Sequence, residues 1–176
     1  MSEPSKQPTI YTLGHSRHSF DDFAALARRH SVDMIVDVRG QPWSRFNPQF
    51  NRETFQAALE DAGLGYRWEG GRLSGRPVDR RFYKSDGKVD WPALRQWPAL
   101  GAGLDDIRAL AGNTHIALVC AEEDPLRCHR RVLLTGPLIE RGASVVHIRK
   151  TGDTETEDFV TARETGSDPR QIDLFG

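Results

Sequence analysis

Short apolar runs alternate along this chain with stretches whose apolar positions recur at helical spacing. Thr9 to Leu13 (TIYTL) is β-branched and apolar, predicts a first strand, and runs into Gly14-His15-Ser16. Ser19 has the chemistry of an N-cap for a helix from about Phe20 to His30, with Phe23, Ala24, Leu26 and Ala27 at helical spacing. Met34 to Val38 (MIVDV) predicts a second strand, with Asp37 near its end and Arg39 just past it. Gly40 to Asn51, with two prolines, Trp43, Phe46 and Phe50, reads as an ordered aromatic loop. Glu53 to Ala62 predicts a helix with Phe55, Ala58 and Leu59 on one face, and Tyr66 to Trp68 a short strand. Glu69 to Lys88 is a long loop anchored by Phe82 and Tyr83, and loops of that length are usually functional or mobile. Trp91 to Leu100 and Leu104 to Ala111 read as helices interrupted at Pro98 and Gly101. Ile116 to Val119 has the length of a buried strand and ends on Cys120. An acidic turn with Pro125 leads to the block Arg127-Cys128-His129-Arg130-Arg131, then a helix from about Val132 to Arg141 stopped by Gly142, then a strand from Ser144 to Ile148. Beyond Arg149 the periodicity is lost, and about 152–170 reads as disordered or loosely packed.

Strands alternating with helices predict an α/β fold, three-layered, with a mostly parallel sheet of Rossmann-like or rhodanese-like kind. Residues 1–150 form a single domain in this reading, and 151–176 an acidic tail. Three apolar runs end on polar groups: His15 and Ser16, then Asp37 and Arg39, then Cys120 with the loop behind it. In a parallel sheet, chemistry collects in the crevice outside the carboxyl ends of the strands. If the three runs are neighbours, these residues share one pocket.

Composition narrows the class. A hydrophobic fraction of 38% with 28% charged residues is that of a soluble protein. No apolar run approaches the roughly 20 residues of a membrane span, so no membrane partner is expected. The opening MSEPSKQP is polar and unlike a secretory signal. Two cysteines do not make a disulfide framework, and a cytoplasmic setting with free or metal-bound thiols is expected. The net charge of −1 hides an asymmetry. From Thr151 onward there are seven acidic and two basic residues, which leaves the first 150 residues net basic. A basic body is compatible with an anionic ligand such as a nucleotide or nucleic acid.

Several chemistries suit the double-cysteine segment. Cys128 at the first turn of a helix, beside Arg127, Arg130 and Arg131, is placed to be a thiolate nucleophile, with the arginines holding an anionic substrate. Equally, Cys128 packs inward and the arginines pair with Glu122, Glu123 and Asp124. Cys120 at a strand end has the position of the nucleophile in rhodaneses and cysteine phosphatases, but its loop is acidic and lacks glycine. Zinc or iron would accept Cys120, Cys128, His129 and His15 as ligands, although no C-x-x-C pair is present and no metal ligand is assigned. Asp37 reads as an acid, base or orienting group, or as the partner of an ion pair with Arg39. The basic, aromatic stretches QPWSRFNPQFNR and YRWEGGRLSGR have what stacking on bases and contacting phosphates requires, or else cap the core. The terminal Gln171-Ile172-Asp173-Leu174-Phe175 looks like the peptide by which bacterial repair and replication proteins dock on the sliding clamp, with Gln171, Leu174 and Phe175 as contacts.

Taken together, the chain resembles the family known as DUF 488, a domain of unknown function, over roughly Thr9 to Arg149. The resemblance rests on TLGHS at 12–16, VDVR at 36–39, Pro42 to Arg45 with Phe50-Asn51, CAEEDPLRCHR at 120–130 and HI at 147–148. It implies an α/β domain whose matching residues are His15, Ser16, Asp37, Arg39, Cys120, Glu122, Cys128, His129 and Arg130. Where that family usually shows Leu-Gly-Gly, this chain has Glu69-Gly70-Gly71.

The expectation is an enzyme acting on a nucleotide or nucleic-acid base, in DNA repair or modification. Asp37, Cys120, Glu122, Cys128 and His129 would be its reacting groups. His15, Ser16, Arg39, Arg45, Arg127 and Arg130 would hold substrate. A non-catalytic nucleic-acid adaptor and a rhodanese-like sulfur or phosphate transferase remain as alternatives.

Overall fold

The computed structural model describes residues 7–167. Among them, six strands form one sheet: β1 Thr9–Gly14, β2 Met34–Asp37, β3 Gly65–Trp68, β4 Ile116–Cys120, β5 Ser144–Ile148 and β6 Thr154–Thr156. Their spatial order is β3-β2-β4-β1-β5-β6. All neighbours are parallel except β6, which runs antiparallel to β5. The helices are α1 Phe20–Arg29, α2 Arg52–Asp61, α3 Gly70–Leu73, α4 Trp91–Arg95, α5 Pro98–Ala111, α6 Gly136–Glu140 and α7 Glu157–Glu164.

The direction of travel across the sheet decides which face each helix covers. The chain moves one way from β1 through β2 to β3, so right-handed crossovers place α1 and α2 on the same face. There Phe23, Phe55 and Leu59 pack with Leu13, Ile35, Ala117 and Val119. From β3 the chain moves back to β4 and on to β5, which puts α5 and α6 on the opposite face. Leu104, Ile107, Leu133 and Leu138 pack there with Ile10, Val36 and Leu118. β4 supplies both cores, sending Ile116, Leu118 and Cys120 to one and Ala117 and Val119 to the other, and all five of its residues are buried. This is why its sequence is a continuous apolar run rather than an alternating one.

The three-layer α/β expectation therefore holds. β4 lies between β1 and β2 yet is followed by a helix on the opposite face from theirs. The loops after these strands part at its carboxyl end, which is where an open α/β sheet forms its crevice.

Several local expectations need correction. Pro98 breaks the helical stretch as anticipated and starts α5 at its first turn, where a missing N–H costs nothing. Gly101 does not break it. The glycines of α5 serve close packing instead, since a Cβ on Gly103 would lie 2.9 Å from Leu73 Cδ2 on α3. The helix expected over 132–141 begins as a π-helical turn at Arg130–Thr135 and continues as α6. Pro137 accounts for the widening, because its ring crowds the carbonyl four residues back and it donates no hydrogen bond.

Residues 154–164, read as part of a loose tail, are ordered as β6 and α7. Thr156 caps α7 by accepting from the Phe159 N–H. Charge holds this segment down. Arg163 donates to both oxygens of Asp124 at 2.9 and 2.8 Å, and Arg131 bonds Glu157 and Glu164, each at 2.8 Å. Only Val160 of α7 is buried, which leaves too few apolar positions for a helical period to show. No helix among the described residues is long and apolar enough to cross a membrane. The peptide at 171–175 lies outside the described residues.

Candidate functional site

Glycines allow the loops at the sheet's carboxyl rim to close on one another. A Cβ on Gly14 would fall on the Glu122 carbonyl, and one on Gly70 on the Arg39 carbonyl. A Cβ on Gly75 would lie 2.4 Å from His129 Cβ. Gly70 of the Glu69-Gly70-Gly71 stretch thus lets α3 begin against the end of β2. Pairing also continues past the strands: His15 N–H donates to Cys120 O, Ser16 N–H to Ala121 O, and Val38 N–H to Val119 O. These contacts bring GHS, DVR and the double-cysteine segment to one rim.

The first cluster is built around Arg39. Its Nε donates to Asp37 Oδ1 at 2.8 Å, and its Nη2 to Asp37 Oδ2 at 2.6 Å and to Phe50 O at 2.9 Å. Its Nη1 lies 3.1 Å from His15 Nε2. Asp37 also accepts from the Arg39 N–H and from Tyr66 Oη. Burial, followed by the adjacent Asp37 carboxylate, pushes the Tyr66 phenol above its ordinary range. The Asp37 carboxylate is 0% exposed, and both of its oxygens are committed to Arg39 and Tyr66. Arg39 correspondingly holds Asp37 and its loop rather than a phosphate.

His15 is fixed as a neutral ring. Its Nδ1 donates to Ser16 O at 3.0 Å, which leaves Nε2 to accept from Arg39, and the ring stacks on Phe50 with centroids 4.3 Å apart. Burial, followed by the Arg39 charge, lowers its pKa from 6.5 to about 4. As pH falls from 6.5 toward 4, the unfolded chain takes up a proton that the folded one refuses, so stability drops through that window. The loss attributable to His15 is expected to reach roughly 3 kcal/mol at full extent. Denaturant unfolding at pH 7 and pH 4.5 checks this. His15→Gln should be less sensitive to acid than the native chain, and equal sensitivity would refute the assignment.

The second cluster is built around Arg130, which is 1% exposed. Its Nε donates to Cys128 Sγ at 3.0 Å and its Nη1 to Thr12 Oγ1 at 3.4 Å. Its Nη2 donates to the Glu122 carbonyl and, at 3.4 Å, to the Glu123 carbonyl. The loop after Cys120 therefore turns carbonyl oxygens inward around a cation. Arg130 holds this loop and does not face a substrate phosphate.

Beside it, Cys120 Sγ lies 3.6 Å from His129 Nδ1, and His129 Nε2 donates to the Val38 carbonyl at 3.2 Å. Sulfur and nitrogen atoms of Cys120, Cys128 and His129 all lie within 4.8 Å of one another. The two thiols titrate as a pair. The hydrogen bond from Cys120, with help from His129 and Arg130, lowers Cys128 against the opposing effect of burial. The same hydrogen bond and burial raise Cys120. Cys128 sits just before the π-helical turn, and its carbonyl accepts the N–H groups of Arg131 and Val132.

The remaining candidates stay at the surface. The Glu122 side chain and Arg127 are exposed, and Ser16 is half-buried in the left-handed region at φ 46°. Arg45 is exposed, with its guanidinium 4.6 Å over the Phe46 ring.

Sequence reasoning passed over Thr12 and His147. Both are buried, their Oγ1 and Nδ1 are 2.8 Å apart, and His147 Nε2 reaches Glu157 at 3.3 Å. Together with Arg130 they form a polar chain from Cys128 to α7. The available signal was their place in the TLGHS and HI motifs, to which no role was given.

Residues 19–135, about two thirds of the chain, match the family described as the domain of unknown function DUF488. The chain belongs to that family. No curated protein and no solved structure matches it. The DUF488 match includes Asp37, Arg39, both cysteines, His129 and Arg130 but stops short of β1 and β5. His15, just past β1, and His147, on β5, complete the two clusters and lie outside the matched span.

Proposed function

We propose that this DUF488 protein is an enzyme acting on a nucleotide or nucleic-acid base, with Cys120, Cys128 and His129 as its reacting centre. The observation that carries the reading is the loop between β2 and α2. Trp43 and Phe46 are 71% and 77% exposed, although large aromatic side chains are ordinarily drawn into the core. Their backbone is nonetheless held: the Asn51 side chain accepts from the Ser44 N–H at 2.6 Å, and Ser44 Oγ accepts from the Phe46 N–H at 3.1 Å. Arg39 ties the far end of the loop through Phe50 O. The loop leaves the sheet one residue past Val38, whose carbonyl receives His129. Two presented rings, with the Arg45 guanidinium over one face of Phe46, offer stacking surface with a cation at hand, and every base has a face to offer it.

Single-stranded oligonucleotide binding followed by fluorescence anisotropy tests the platform. The native chain should bind with an affinity that falls as salt rises. Trp43→Ala and Phe46→Ala should each weaken binding about 5- to 100-fold, the range for one lost base stack of roughly 1–3 kcal/mol. Cys128→Ser should leave binding intact and abolish turnover when nucleotide and oligonucleotide products are separated by chromatography. Affinity indifferent to both aromatic substitutions would remove the basis of the proposal.

A further inference from the structure

The geometry points to a zinc site formed by Cys120 Sγ, Cys128 Sγ and His129 Nδ1. This goes beyond the nucleotide reading, because it assigns a cofactor whose presence does not depend on what the aromatic loop binds.

Three features converge on it. The first is the donor set. Two sulfurs and one imidazole nitrogen within 4.8 Å of one another suit a borderline-soft, tetrahedral divalent ion. Zinc bonds to sulfur at about 2.3 Å and to nitrogen at about 2.0–2.1 Å, so a tetrahedral angle separates such ligands by roughly 3.6 Å. Cys120 Sγ and His129 Nδ1 are 3.6 Å apart.

The second feature is the tautomer. His129 Nε2–H donates to the Val38 carbonyl at 3.2 Å, which leaves Nδ1 bare and aimed at the sulfurs. Metal-ligating histidines almost always give their other N–H to a carbonyl, carboxylate or water in this way.

The third feature is the support around the sulfurs. Arg130 Nε donates to Cys128 Sγ at 3.0 Å, which orients that sulfur. Gly75 packs its backbone against His129 Cβ, so the ring is held from behind. The ligands come from the end of β4 and the turn before the π-helix, which are rigid elements.

Binding is balanced by proton release. Each cysteine gives up to solvent whatever proton it holds, the imidazole binds as the neutral ring, and the two thiolates neutralise the ion.

The test uses the full chain purified from zinc-supplemented culture. Plasma emission spectrometry should find one zinc per chain, falling well below that in Cys120→Ser and Cys128→Ser. Should those variants fail to fold, the metal-stripped native chain titrated with cobalt(II) gives a second readout. Thiolate-to-cobalt charge transfer and tetrahedral ligand-field bands should saturate at one equivalent. A folded native chain that takes up neither zinc nor cobalt, or a cobalt spectrum without the thiolate transition, would overturn the site. Metal binding lost while oligonucleotide binding persists would end this inference alone. A zinc-loaded chain that ignores oligonucleotides would end the nucleotide proposal alone.

Discussion

Asp37→Ala is expected to destabilise the folded protein by about 3–5 kcal/mol, the cost of removing one partner from a buried ion pair. Asp37 is fully buried and receives two side-chain bonds from Arg39, at 2.8 and 2.6 Å, and one from Tyr66 at 2.9 Å. Its removal strands a guanidinium that is itself almost wholly enclosed, and leaves the Tyr66 hydroxyl without its acceptor. Urea unfolding followed by circular dichroism measures the loss. The informative comparison is Asp37→Leu combined with Arg39→Met, which removes both charges and should cost far less than Asp37→Ala. If the double variant is as unstable as the single one, the damage comes from something other than an orphaned charge.

The second large effect is expected at Arg130. Arg130→Met should cost about 3–5 kcal/mol by the same reasoning for an uncompensated buried network. Here the stranded groups are the Glu122 and Glu123 carbonyls, Thr12 Oγ1 and Cys128 Sγ. Arg130→Lys should recover only part, because an ammonium is a point donor and cannot span a sulfur, a hydroxyl and two carbonyls as the planar fork does. Hydrogen exchange distinguishes this from a general loss of stability. Protection should fall first in residues 121–128, the loop wrapped around the guanidinium, before it falls in β4. Uniform loss across the sheet, or full rescue by lysine, would contradict the role assigned to Arg130.

These two arginines show what sequence could and could not tell. Both were read as phosphate holders because each follows a strand in a block of polar residues. Their position was legible, since the apolar runs placed β1, β2 and β4 and put His15, Asp37 and Cys120 at or just past their ends, while the strand order made these strands neighbours. Their orientation was not. Whether an arginine points outward to a ligand or inward to carbonyls depends on groups that arrive from distant segments. For Arg130 these include Thr12, 118 residues earlier, and for Arg39 they include His15 and Phe50. No local pattern encodes such pairings.

The same division holds for the candidate site. That Cys120, Cys128 and His129 are metal-binding types was evident, but without a C-x-x-C pair their spacing made them look unrelated. An eight-residue interval closes into one cluster because Arg130 gathers the intervening loop and Pro125 turns it. The segment after Arg149 was misread for a related reason. Its order comes from Arg131, Arg149 and Arg163 pairing with acidic partners elsewhere in the fold, which composition registers only as charge.

The amino-acid sequence by itself determined the α/β class, the five strands β1 to β5, most helices and the family, because hydrophobic periodicity and residue type are local properties that survive without coordinates. Tertiary structure decided the strand order, the burial of Asp37, Arg39 and Arg130, the neutral tautomer of His15, and the meeting of two sulfurs with one imidazole. Each of these depends on charges and hydrogen-bonding groups brought together across the sheet, and their energies change sign with burial and partner rather than with position in the chain.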